Sequence, residues 1–156
     1  ALYHTWHFTD RVDIGANGPS LDLLNGDAIG QSGGSPRHEL EGQAGYSNNG
    51  LGARLSVNFR SGTTVNGGTA ANPTPLEFSS LTTANLRLFA NLGNRLELLR
   101  RYPWLRGTRV TLSFDNLLNQ RQSVRDAQGV TPISFQPGYL DPLGRSVRLS
   151  VRKLFF

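Results

Sequence analysis

The sequence predicts an all-β chain, an antiparallel meander of about six membrane-crossing strands with one apolar and one polar face each. Three observations lead there. Apolar residues recur with a period of two over most of the chain. The tightest connection has the residues of a β-hairpin turn, and short and long connections alternate along the sequence.

The first strand is expected at 2–14, with Leu2, Trp6, Phe8, Val12 and Ile14 on one side and Asp10 interrupting that side. The second, at 37–47, sets Leu40, Gly42, Ala44 and Tyr46 against Glu39, Glu41 and Gln43. The third, at 51–61, sets Leu51, Ala53, Leu55, Val57 and Phe59 against Gly52, Arg54, Ser56, Asn58 and Arg60. In the fourth, at 79–92, Thr82, Ala84, Leu86, Leu88, Ala90 and Leu92 face away from Thr83, Asn85, Arg87 and Asn91. The fifth, at 108–118, opposes Val110, Leu112 and Phe114 to Thr111, Ser113 and Asp115. The sixth, at 145–155, opposes Val147, Leu149, Val151 and Phe155 to Arg148, Ser150, Arg152 and Leu154. Such alternation belongs to strands exposing two different faces.

Ser47-Asn48-Asn49-Gly50 joins the second and third strands, and Asn-Gly supplies the positive φ angles of a type I′ turn. With that turn, Leu40 lies opposite Phe59, Ala44 opposite Leu55 and Glu39 opposite Arg60, so both faces match in kind. The stretches 15–36, 62–77 and 119–144 read as long loops. If the last strand runs inward, all of them fall outside, and the Asn-Gly turn and the 93–107 connection fall inside. Leu92, Leu96 and Leu99 have helical spacing, so 93–107 is expected to hold a short amphipathic helix ending at Tyr102-Pro103-Trp104.

Composition narrows the classes. Apolar residues make up 37% of the chain, and no apolar stretch approaches the roughly 20 residues of a membrane-crossing helix. Cysteine is absent, which excludes disulfides and thiolate chemistry. The net charge of +5 is carried by arginine, with Lys153 the single lysine. Those arginines are scattered, only Arg100 and Arg101 being adjacent, without interleaved stacking aromatics; nucleic acid is not an expected partner. The chain opens at Ala1 inside a strand pattern, without a signal-peptide pattern, so further protein upstream is expected.

Three features favour lipid over a soluble sandwich. Arg37, Glu39, Glu41, Arg54, Arg60, Arg87, Arg109, Arg148 and Arg152 would line a wet interior. Tyr3, Trp6, Tyr46, Tyr102, Trp104 and Phe155 are expected near the periplasmic end, with Phe59 and Phe78 near the outer end, as two aromatic girdles. The chain also stops at an aromatic strand end. About six strands cannot close a barrel, for which about eight is the minimum, so missing strands are expected to complete the wall.

The last strand, Gly144 to Phe156, resembles the C-terminal assembly signal of bacterial outer-membrane proteins, carried here by Val147, Leu149, Val151, Phe155 and Phe156. Together with Phe114-Asp115-Asn116-Leu117-Leu118-Asn119 it is similar to the end of a TonB-dependent receptor. Gly33-Gly34-Ser35-Pro36-Arg37-His38 and Tyr139-Leu140-Asp141-Pro142-Leu143-Gly144-Arg145 are similar to segments of a subset of these receptors. The resemblance covers the whole chain, 1–156. Lys153 departs from it, standing where an aromatic is common. The resemblance implies a barrel of about 22 strands filled by an N-terminal plug. The implied partners are the remaining strands and plug, outer-membrane lipid, the TonB complex and the barrel-assembly machinery.

Other constellations are weaker. His4 and His7, three apart on a strand, point to opposite faces and cannot share a metal ion. His38 reads as a rim residue. No phosphate-binding or nucleophile-elbow motif occurs, and neither enzymatic activity nor a cofactor is expected. Arg121, Arg125, Asp126 and Tyr139, with Phe135, could contact an anionic or aromatic ligand from the 119–144 loop. The preferred reading is that those charges bind one another, water or lipopolysaccharide. Glu39 and Glu41 read as lumen partners of arginines rather than an acid/base pair.

The expected function is thus uptake of a scarce nutrient, such as a siderophore-bound metal, across the bacterial outer membrane. The alternatives are another outer-membrane barrel, such as an autotransporter translocator, and a soluble sugar- or nucleic-acid-binding β-protein.

Overall fold

The structure, a computed structural model, describes residues 1–15, 18–30, 33–69, 71–141 and 143–155. From the N-terminal end come β1 (Leu2–Trp6) and the short strands β2 (Arg11–Asp13) and β3 (Ser20–Asp22). The long strands β4 (His38–Asn48) and β5 (Leu51–Arg60) follow, then β6 (Thr63–Val65), β7 (Leu76–Phe78) and β8 (Leu81–Asn91). Helix α1 (Leu96–Arg101) leads to β9 (Thr108–Asp115). After it come β10 (Val124–Asp126), α2 (Pro137–Leu140) and β11 (Ser146–Lys153).

One antiparallel sheet of six strands, ordered β1-β4-β5-β8-β9-β11, carries the architecture. Each strand pairs with the neighbour expected from the alternation. The sheet is open, with β1 and β11 at its two edges.

The β4–β5 hairpin has the register read from the sequence: Glu39 opposes Arg60, Leu40 opposes Phe59 and Ala44 opposes Leu55. Its turn works because Asn49 and Gly50 adopt φ of 45° and 80°, the left-handed conformations that a two-residue hairpin turn demands. The Asn91 N–H donates to the Gly50 carbonyl at 2.6 Å, docking the turn onto the end of β8. The 93–107 connection holds α1, closed at Tyr102, whose N–H donates to the Leu98 carbonyl; Pro103 then starts a turn of 3-10 helix.

The first strand is shorter than expected. It ends at Trp6, and Arg11–Asp13 instead pairs with Ser20–Asp22 in a separate hairpin. Asp10 marks the break: its carboxylate accepts the Ser35 hydroxyl and its carbonyl accepts the Leu23 N–H, which fixes the chain in the loop layer. The fifth strand stops at Asp115 rather than 118, because Asn116 turns the backbone to φ 51°. Within the long loops, β6, β7 and β10 form a small sheet ordered β10-β7-β6. Its apolar centre is Phe78 and Val124, with Phe135 edge-on to the Phe78 ring at 5.5 Å. Strands of three residues carry too little alternation to be read from sequence.

Little else is buried. The accessible surface is 11081 Å², against roughly 7,700 Å² for a compact monomer of 17.1 kDa. Among the described residues, the only buried hydrophobic side chains are those of Phe78, Ala84 and Val124. A chain of this size with so small an interior is an open sheet with little core of its own.

Candidate functional site

The pairing registers sort the six-stranded sheet into two continuous faces. One carries Leu40 and Tyr46 on β4, Leu51, Leu55, Val57 and Phe59 on β5, Leu86 and Leu88 on β8, Val110, Leu112 and Phe114 on β9, and Val147, Leu149 and Val151 on β11. Among the described residues no second layer covers it. Leu55 and Leu88, in the middle strands, are each 38% exposed, and Leu149 at the edge is 68% exposed. Ala53 and Ala90 leave a depression of about 690 Å³ on this side, bordered by Tyr46, Leu88 and Leu112 and with Arg95 at its rim.

The opposite face is basic. Across β5, β8, β9 and β11 runs the row Arg54, Arg87, Ser113, Arg148, in which Arg54 is directly opposite Arg87. Toward the turn end lies Gly52, Phe89, Thr111, Ser150, and beyond it Asn91, Arg109, Arg152, with Arg109 directly opposite Arg152. Phe89 is the one aromatic in these rows. Its ring fills the space above Gly52, where an added Cβ would come within 2.2 Å of the ring, and the Arg109 guanidinium sits 4.9 Å from the ring centroid. Arg87, Arg109, Arg148 and Arg152 with Thr111, Ser113 and Ser150 line a groove of about 350 Å³.

Acidic partners lie at the loop end. Glu39 is 3.4 Å from the Arg60 Nε and 3.6 Å from the His7 Nε2. Glu39 therefore takes the arginine-partner role expected of it, whereas Glu41 accepts from the Gln43 side chain. His4 lies in β1 and His7 just beyond its end, and the two side chains meet different partners. His4 is 3.2 Å from the Nδ1 of His38, which also neighbours Trp6, a cross-strand cluster that sequence spacing did not reveal.

The aromatic girdles need correcting. Trp6 pairs with His38 at the loop end of β4, the end where Phe59 lies, and Tyr3 pairs with Glu41 on the charged side. Phe78 is buried in the loop sheet. Alternation assigns a side chain to a face, but it does not fix how far one strand slides along its neighbour. Tyr46, Tyr102, Trp104 and Phe155 remain at or near the turn end, exposed.

The loop candidates occupy separate settings. Arg121 packs against Gly144 and Asn119, since a Cβ on Gly144 would meet its guanidinium at 2.6 Å, and its Nε is buried with no hydrogen-bond partner among the described residues. Arg125 pairs with Glu77 across β10 and β7. The Asp126 carboxylate accepts the N–H groups of Gln128 and Val130 at 3.0 and 2.8 Å, closing its own turn. Tyr139 is exposed on α2.

The closing motifs have local explanations. Asn116 and Asn119 both adopt positive φ. The Asn116 side chain brackets Gln120 with two hydrogen bonds, at 2.7 and 3.0 Å, and its N–H donates to the Asn85 side chain at 2.9 Å. The Asn119 side-chain oxygen accepts the Arg145 N–H at 3.0 Å, and Asp141 accepts the Gly144 N–H at 3.0 Å, aiming the chain into β11. On β11, Val147, Leu149 and Val151 stand on the uncovered face, and Phe155 beyond the strand is 88% exposed. Phe156 and Pro142 lie outside the described residues. Lys153 shares the parity of the apolar side but donates to the Trp104 and Arg106 carbonyls, with the Phe155 ring 5.9 Å away; it ties the last strand to the 93–107 connection.

No described helix is long and apolar enough to cross a membrane, which does not bear on strands. The described residues hold no group of three or more side chains able to bind a metal ion. Nothing matches the chain among protein families, curated proteins or solved structures.

Proposed function

We propose that the chain is the C-terminal wall segment of a TonB-dependent transporter in the bacterial outer membrane, taking up a scarce nutrient such as a siderophore-bound metal. The observation that carries this reading is a six-stranded meander whose apolar face has no cover among the described residues. Acyl chains are the solvent that such a face fits, because they stabilise apolar side chains without requiring a second layer. The basic face then lines a watery interior.

Backbone chemistry supports a larger wall. The outer edges of β1 and β11 hold unpaired N–H and C=O groups, each of which costs several kcal/mol in hydrocarbon. Further strands of the same protein would pair them. The tight Asn49-Gly50 turn lies at one end and the loop strands at the other, in keeping with short periplasmic and long outer connections, although the 93–107 connection at the turn end is long for a periplasmic turn. The Asn116–Asn119 turn and the exposed terminal strand carry the resemblance to these receptors, and barrel-assembly machinery would engage Val147, Leu149, Val151, Phe155 and Phe156.

The test is uptake. Cells lacking the full-length gene are expected to lose accumulation of one solute from a panel of ferric siderophores and other scarce nutrients, and loss of TonB is expected to abolish the same uptake. Unchanged uptake without TonB, or a long repetitive passenger preceding this segment, would replace the importer with a secretory barrel.

A further inference from the structure

We propose that the arginine-lined groove on the polar face binds a small polyanion carrying several carboxylate or phosphate groups. This inference rests on reading that face as the wall of a watery interior, and it narrows the class of solute that the interior takes.

The register makes the case. Arg54 is directly opposite Arg87, and Arg109 is directly opposite Arg152. Like charges in such pairs destabilise a sheet. Serine, threonine and asparagine occupy neighbouring positions of the same rows, so neutral polar residues fit this face. Among the described residues no carboxylate comes within 4.0 Å of Arg54, Arg87, Arg109, Arg148 or Arg152; the ion pairs all involve Glu39 or Asp22. Among the described residues nothing compensates the charge on this part of the wall.

The groove also has the build of a ligand site. Its volume of about 350 Å³ lies within the range of small-molecule pockets, roughly 300–1,000 Å³. Hydroxyls of Thr111, Ser113 and Ser150 lie between the guanidiniums and add neutral donors. Phe89, seated over Gly52, braces Arg109 against its ring, and stacking leaves the guanidinium's in-plane N–H groups free to grip an oxyanion. Arg148 and Arg152 are four residues apart, about 14 Å of strand, a gap that their long side chains narrow from both ends. A solute with two or more anionic groups can engage both rows, whereas a single anion engages one. A concave groove with interleaved hydroxyls suits such a solute better than the flat contact of an acidic protein surface.

The full-length protein in detergent is titrated calorimetrically with citrate, with pyrophosphate and with glucose as a neutral control. Citrate, pyrophosphate or both are expected to bind and glucose is not. The double variant R109Q/R152Q is expected to weaken anion binding by about tenfold or more, the loss of at least one charge-assisted hydrogen bond. R109K/R152K keeps the charge and is expected to retain measurable binding, which separates loss of the site from loss of the fold. Absence of binding by both anions, or equal binding by R109Q/R152Q, overturns the proposal. A gain in stability of R109Q/R152Q without ligand is expected, since it removes a like-charge pair. A loss of stability in a parent that binds neither anion means that acidic side chains elsewhere in the protein neutralise the groove, and the proposal fails. In the same preparation a water-borne maleimide reads the face independently, on Leu112→Cys and Ser113→Cys. Labelling at 113 alone, without anion binding, overturns the groove and leaves the barrel reading standing. Equal labelling at both removes the interior on which the groove depends.

Discussion

Leu112 and Ser113 are adjacent in β9, yet the pairing register gives them opposite surroundings. Leu112 lies between Leu88 and Leu149, and Ser113 between Arg87 and Arg148. The same alternation holds across the sheet, and among the described residues no further layer buries either face. In a soluble sandwich one face of each strand meets a second sheet. Here both faces are surfaces, so ladder hydrogen bonds hold the strands together and the medium on each side decides which residues fit. Energetic differences between the two sides should therefore be large, and substitutions can exaggerate or erase them.

The largest effect is expected from Leu112→Arg. If the residue faces mid-bilayer, this change is expected to cost roughly 2–4 kcal/mol in the complete protein, measured by unfolding from lipid vesicles. Ser113→Arg, on the polar face, is expected to cost less than about 1 kcal/mol. That cost arises from repulsion by Arg87 and Arg148, which flank the position. Equal penalties would erase the distinction between the faces.

A smaller effect tests the ladder rather than the faces. Gly50→Ala is expected to cost about 1–2 kcal/mol, because position 50 holds φ of 80°. The added Cβ would also meet the Asn91 carbonyl at 2.7 Å, where the turn docks on β8. The same vesicle unfolding assay reads this loss, and an unchanged midpoint would mean that the β4–β5 turn does not set the register.

The mildest effect lies in the loop layer. The Asn25 side chain, the Leu24 N–H and Arg11 all favour the ionised Asp22 carboxylate, and together they hold its pKa below the ordinary carboxylate value. A depressed folded-state pKa means stabilisation that is complete above the unfolded value, near pH 4, and lost as pH falls through the lower folded value. Hydrogen exchange in Arg11–Asp13 and Ser20–Asp22, corrected for the intrinsic rate at each pH, is expected to lose protection in that acid range. Asp22→Asn is expected to abolish the pH dependence. Protection that persists unchanged to pH 2 would contradict this assignment.

The legible and illegible parts of the sequence divide along the same line as the structure. The β4–β5 register could be read to the residue, because Asn49-Gly50 fixed the turn and apolar side chains then had to oppose one another. The Arg54–Arg87 juxtaposition could not be read, because a long loop joins β5 to β8 and leaves their register free. The sliding of β1 could not be read, since Leu2, Trp6 and Phe8 keep their alternation under any even shift along β4. The loop strands β6, β7 and β10 were illegible for a different reason. Their packing depends on Phe78, Val124 and Phe135, which come from separate loops, and no local period joins them. The His4–His38 pair had the same obstacle, a contact between residues 34 apart in sequence.

The claim beneath all of this is that one side of the sheet meets acyl chains and the other meets water. Spin labels placed singly from Thr108 to Asp115 in the complete, vesicle-embedded protein measure that contact residue by residue, by collision with oxygen from the lipid and with a nickel chelate from the water. Oxygen is expected to reach 110, 112 and 114 preferentially and the chelate 109, 111 and 113. A smooth profile without that two-residue period, or the chelate reaching both sets alike, would contradict the account.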